Sequence, residues 1–181
     1  MIPVHQPVLD GNEKKYVIDC LDTKWISSRG KYIQKFEKRF AKFCGVKHCV
    51  ATTSGTSALH LAAASLNLKK GDEVIMPSFT MIAPALAVYY TGAKQVFVDA
   101  EPKSWTINVS KIEEKITKKT KAIMPVHIYG HPCYMDVVME IAKKHDLFVI
   151  EDAAEAHGAL FKGKKAGSFG DVNAFSCYAI R

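Results

Sequence analysis

Val149-Ile150-Glu151-Asp152-Ala153-Ala154-Glu155-Ala156-His157-Gly158 is an apolar run that ends in two carboxylates and then passes into small residues. The apolar stretch over 147–150 is too short for a core helix and shows no polar alternation, so it predicts a strand covered on both faces, as in a parallel sheet. Similar short runs stand at 48–52, 73–76, 95–98, 122–126 and 172–175, with helical patterns between most of them at 56–65, 82–90, 110–116 and 135–144. Strands alternating with helices predict an α/β fold, a three-layer sandwich whose central sheet is mostly parallel. Upstream, Asp10-Gly11-Asn12-Glu13 can cap a helix through Tyr16, Ile18 and Leu21. After a break at 25–30, Tyr32, Phe36, Phe40 and Phe43 mark the apolar face of a second helix. In such sheets ligands gather beyond the carboxyl ends of the strands, so the residues that follow each strand are the candidates for chemistry.

Composition narrows the class. A chain of 181 residues with 48% hydrophobic and 24% charged residues can bury a real core. It has no apolar stretch near the roughly 20 residues that span a bilayer, and its first residues do not read as a signal peptide, so a cytoplasmic protein without a membrane partner is expected. The five cysteines fall singly, with no metal-ligand spacing, and are expected as buried reduced thiols with no metal site. The net charge of +7 comes from lysines spread over segments such as 35–42 and 115–121, the pattern of solvated faces and not of a nucleic-acid surface. It can still attract a small anionic substrate such as a nucleotide diphosphate.

Three places carry candidate chemistry. At Thr52-Thr53-Ser54-Gly55-Thr56-Ser57-Ala58-Leu59 a strand yields to a helix through small residues. The free amides of that helix start, with the hydroxyls of Thr56 and Ser57, can hold a phosphate, or the serines can be a plain cap. Asp152 at a strand tip can pair with a protonated ring nitrogen, or it can be an ordinary surface or capping aspartate. Glu155 lies three residues on and can meet the same ligand, or be a first-turn acid favoured by a helix dipole. The third place is the glycine-bounded turn 167–171 leading to Ser176, which can complete the phosphate cup or be an ordinary strand-end serine. His127 and Tyr129 can touch substrate or pack.

Together these stretches resemble the sugar aminotransferases of the DegT/DnrJ/EryC1/StrS family. The shared motifs read here as Ser54-Gly55-Thr56-Ser57-Ala58-Leu59, Pro77-Ser78-Phe79-Thr80, Val126-His127-Ile128-Tyr129-Gly130, Glu151-Asp152-Ala153-Ala154-Glu155-Ala156 and Gly170-Asp171. The opening stretches 2–13 and 25–33 look most like the branch that aminates a GDP-linked sugar. The resemblance implies the fold-type I architecture of pyridoxal 5'-phosphate enzymes, with this chain matching about the first half of a full member. Residues 1–30 would be an N-terminal helix and substrate-side segment, 31–181 the cofactor-binding α/β core, and the C-terminal small domain would be absent.

The implied reaction moves an amino group from glutamate, by way of the cofactor, to C4 of a nucleotide-linked 4-keto-6-deoxy sugar, in a homodimer. By the same resemblance Gly55, Thr56, Ser57 and Ser176 would hold the cofactor phosphate, Asp152 the pyridine nitrogen and Glu155 the 3-hydroxyl, while Met81 would cover a ring face where relatives often have an aromatic. Arg181 occupies the position of the lysine that links to the cofactor. A guanidinium stays protonated in proteins and cannot serve as that nucleophile, so a truncated and inactive chain is expected. The other reading is a non-catalytic protein that keeps the cofactor or phosphate cup, or partners an intact homologue.

Overall fold

The computed structural model describes residues 6–178, and they form two compact units: one runs up to Ala51 and takes in Tyr178, the other is Thr52–Cys177. In the first unit, helix α1 (Glu13–Asp22) is followed by α2 (Lys31–Cys44). The predicted aromatic face of α2 forms, with ring centroids of Phe36 and Phe40 at 5.2 Å and of Phe40 and Phe43 at 5.9 Å, and Tyr32 meets Tyr16 of α1 at 4.9 Å. Gly45 ends α2 in the left-handed conformation, where its N–H reaches the last carbonyls of the helix. Residues 48–52, expected as a strand, join no ladder. The Ala51 N–H goes instead to the Glu37 carboxylate at 2.9 Å, and the Thr52 hydroxyl turns to the Ser54 carbonyl.

The second unit holds the α/β sandwich. Its strands are β1 (Glu73–Pro77), β2 (Lys94–Val98), β3 (Thr120–Ile123), β4 (Phe148–Asp152) and, after a small antiparallel hairpin of β5 (Leu160–Phe161) and β6 (Lys164–Lys165), β7 (Val172–Ala174). The five-stranded sheet has the order β2-β1-β3-β4-β7, and every pairing in it is parallel. Helices α3 (Gly55–Ser65), α4 (Ile82–Tyr90) and α5 (Met135–Lys144) complete the layers.

Two-residue alternation along the strands assigns each side chain to a layer. Val74, Met76, Ala122, Ile150 and Ala174 pack on Leu59, Ala62 and Ala63 of α3 and on Ala87 and Val88 of α4. Ile75, Ile123 and Val149 point the other way, against Val138, Ile141 and Ala142 of α5 and against Ile107 and Ile112 of the β2–β3 connection. The helix after β1 therefore covers one face and the helix after β3 the opposite face. The crevice at the carboxyl ends of β1 and β3 is the topological switch point of the sheet.

Two other expectations are corrected. Residues 110–116 form two short 3-10 turns, Val109–Lys111 and Glu113–Lys115, in place of a helix. The Asn108 side chain takes the Ser110 N–H, and so short a segment, with β-branched Val109 and Ile112, offers too few i→i−4 bonds to offset nucleation. The five cysteines form no disulfide, as expected, yet only Cys44 and Cys133 are buried and Cys177 is exposed.

Candidate functional site

The site is built at the carboxyl ends of β4 and β7 and the amino end of α3. Ser54 caps α3: its hydroxyl accepts the Ser57 N–H at 3.1 Å and its carbonyl accepts the Ala58 N–H at 3.0 Å. That leaves the Gly55 and Thr56 amides as the open donors of the first turn among the described residues, at the positive end of the helix dipole. The hydroxyls of Thr53 and Ser54 lie 3.2 and 3.0 Å from that of Ser57, so the cup is a connected cluster of small donors.

Ser176 reaches this cup from the far end of the unit. A Cβ placed on Gly55 would sit 2.7 Å from the Ser176 Cβ, closer than side chains approach, and 3.0 Å from its Oγ. Glycine at position 55 lets Ser176, two residues past β7, close on the helix start without displacement, which gives that motif position a physical reason.

Asp152 shares the layer of the cup. Ile150 faces α3, so Asp152, two residues further along β4, projects to that side of the sheet, and Ser176 meets Gly55 of α3. In the ladder Asp152 stands beside Ala174. Ser176 lies two residues past Ala174, where β7 has ended.

The Asp152 side chain is 3% exposed, and its Oδ1 accepts the Ala154 N–H at 3.0 Å. Burial pushes its pKa up to about 6 against that hydrogen bond. A buried carboxylate held near neutrality is suited to receive a cationic N–H, which would restore the charge that burial opposes.

The remaining expected residues fall as follows. Residues 153–159 make turns and not a helix, so Glu155 is no first-turn acid. Its Oε2 accepts the Tyr129 N–H at 2.6 Å and holds the turn after β3, where Tyr129 has a left-handed backbone with φ of 51°. His127 is buried and Tyr129 is exposed, so of the two only Tyr129 is open to a ligand. Met81 stands at the start of α4, half-exposed and not held by any cap bond. Arg181 lies outside the described residues.

Two features escaped the sequence reading. The Glu151 carboxylate is fully buried and collects four donors, a role with no signal in the sequence beyond its place beside Asp152. The Thr80 hydroxyl is buried without a hydrogen-bond partner between β1 and α4, with no sequence signal beyond its place in the Pro77–Thr80 motif.

Comparison with known proteins follows the same geometry. Residues 7–181 match the DegT/DnrJ/EryC1/StrS aminotransferase family. The chain is 55% identical over 177 residues to GDP-perosamine synthase of Escherichia coli O157:H7, covering 98% of this chain and 49% of that protein. It is 54% identical to the GDP-perosamine synthase of Caulobacter vibrioides, covering 98% and 48%. Among solved structures, E. coli GDP-4-keto-6-deoxy-D-mannose-3-dehydratase with bound hydrated PLP superposes with a TM-score of 0.91 at 33% identity, covering 98% of this chain and 47% of that one. The chain spans about half the length of the curated relatives it matches. With the family match running over residues 7–181 and a relative 55% identical over 98% of the chain, this chain belongs to the DegT/DnrJ/EryC1/StrS aminotransferase family.

Proposed function

We propose that this chain is the cofactor-binding half of a pyridoxal-phosphate-dependent aminotransferase that acts on C4 of a GDP-linked 4-keto-6-deoxy sugar, with glutamate as amino donor and a homodimer as the working form. The observation that carries the reading is the approach of Ser176 to Gly55 on the sheet face that also bears Asp152. A ligand with a phosphate at one end and a basic ring nitrogen at the other fits that pair of anchors.

In this reading the Gly55 and Thr56 amides with the Thr56, Ser57 and Ser176 hydroxyls hold the phosphate. Asp152 accepts the ring N–H and keeps it protonated. Glu155 faces the 3-hydroxyl while its Oε2 fixes the Tyr129 turn, and Met81 covers a ring face. When bound, pyridoxal phosphate supplies an electron sink for proton removal at the carbon that bears the amino group. The proton that moves there needs a base that can be neutral at working pH. Arg181 cannot be that base, because a guanidinium keeps its proton.

The chain alone is therefore expected to bind pyridoxal phosphate reversibly and to give no transamination. Fluorescence titration with pyridoxal phosphate checks this, with inorganic phosphate as competitor. Saturable binding that phosphate displaces and Asp152→Asn weakens at least tenfold supports the reading. Absence of saturable binding, or binding indifferent to both, removes it.

A further inference from the structure

Glu151 sits one residue before Asp152, on the opposite side of the sheet, with its side chain fully buried. Its carboxylate accepts hydrogen bonds from His127 Nε2 at 2.9 Å and from the amides of Gly167, Phe169 and Gly170 at 2.5, 2.8 and 3.0 Å. We propose that Glu151 is a positioning residue for the cofactor site: from the α5 face it fixes the gap between Asp152 and Ser176. The inference rests on the reading of those two residues as the ends of one site.

An ionised carboxylate has about four lone-pair positions and is costly to bury unless they are filled. Here all are matched by donors. Burial opposes the charge, and the His127, Gly170 and Gly167 bonds overcome it, so the carboxyl is held below its ordinary value. The Cys133 N–H donates to His127 Nδ1 at 3.1 Å, which puts the ring proton on Nε2, the atom that donates to Glu151. A fixed anion with four fixed donors has one geometry.

The donors belong to two segments that must be placed relative to β4. Three amides come from residues 167–170, the loop that delivers β7. Its far end is fixed as well: the Val149 N–H donates to Asp171 Oδ2 at 2.8 Å, and a Cβ on Gly170 would lie 2.7 Å from the Val149 carbonyl oxygen. Together these contacts set the register in which Ala174 stands beside Asp152, and so where Ser176 emerges. The fourth donor, His127, ties in the turn that holds Glu155 through the Tyr129 amide. One side chain thus ties both neighbours of β4 to the strand that carries Asp152.

A residue that merely fills the core would loosen the whole sheet when altered, whereas a positioning residue should disturb one loop and one ligand dimension. Glu151→Gln keeps the shape and turns an amide NH2 toward backbone donors. In the full chain, hydrogen-exchange mass spectrometry should show amides of 167–177 exchanging at least tenfold faster while 120–123 and 135–144 keep their protection. Pyridoxal phosphate, which spans both anchors, should lose at least tenfold more affinity than inorganic phosphate, which needs only the cup.

Unchanged exchange at 167–177, loosening spread evenly over the sheet, or equal losses for the two ligands would overturn the assignment. If the unaltered chain binds no pyridoxal phosphate, the proposed function fails, and the exchange pattern alone decides the role of Glu151. Should Glu151→Gln not fold, Glu151→Asp keeps the charge one methylene back. It must then show the same local exchange defect in weaker form, and wild-type protection in it also overturns the assignment.

Discussion

At the scale of single residues, the two anchors trade stability for binding in opposite ways. Asp152 has a folded pKa near 6 against about 3.9 for a free aspartate, so folding favours its protonated form. The sign follows: the ionisation penalty is absent below about pH 4, grows as pH rises, and is fully present above the folded value. Asp152→Asn should raise unfolding stability at pH 8 by roughly 1–3 kcal/mol and leave it unchanged at pH 4, as read by urea denaturation, while cofactor affinity falls. Gly55→Ala acts differently, because its methyl group must displace Ser176. A cost of about 1–3 kcal/mol and a loss of phosphate affinity of at least tenfold are expected, and Gly55→Ala with Ser176→Gly should recover most of the stability but not the affinity. Thiol labelling offers a third check at this scale. Exposed Cys177 should react first, and Cys133, whose thiol is pushed up to about 12 by burial, should react last.

At the scale of elements, the helices differ in what holds them. Helix α1 has no buried residue and its Asn12 makes no side-chain cap, so its ten residues are held by a marginal local propensity and by surface contacts with α2, the Tyr16–Tyr32 rings and the Asp19–Lys31 ion pair. Helix α5 buries Met135, Val138, Ile141 and Ala142. Hydrogen exchange should therefore open α1 well before α5. Ser54→Ala, which removes the cap of α3, should cost about 1 kcal/mol by denaturation. The elements legible in the sequence were those whose pattern is local. The bounds of α4 and α5 follow from apolar periodicity, and Asp152 follows from the end of an apolar run. The segment 48–52 was misread because a short apolar stretch carries no signal of whether a partner strand exists. The segment 110–116 was misread because helix propensity says nothing about the Asn108 cap that diverts its first amide. The contact of Ser176 with Gly55 and the four donors on Glu151 were invisible, since each joins residues distant in sequence through a register that only the assembled sheet defines.

At the scale of the whole molecule, apolar surface is left open. Tyr16, Val17, Phe36, Phe40 and Phe43 line a groove of about 520 Å³ between α1 and α2, rimmed by Lys35 and Arg39. In the other unit, Phe79, Trp105 and Tyr129 cluster with centroids 5.2 and 6.4 Å apart, and Trp105 and Tyr129 both hold left-handed backbones. Patches of this kind drive association. Sedimentation over a micromolar concentration series should show the chain self-associating despite its net charge of +7. The motifs legible in the sequence foresaw the family and the sheet, because glycine, serine and aspartate at strand ends are constrained by backbone geometry. The apolar face of α2 was legible too, but not that it would line an open groove, which depends on what lies against each helix.

The meeting of Gly55 with Ser176 also has a consequence in time. A ribosome releases the helix start more than a hundred residues before Ser176, the residue that meets it. In the proposed function, cofactor capture would therefore wait until β7 docks beside β4, and a chain stalled before residue 176 would lack one wall of the proposed cup.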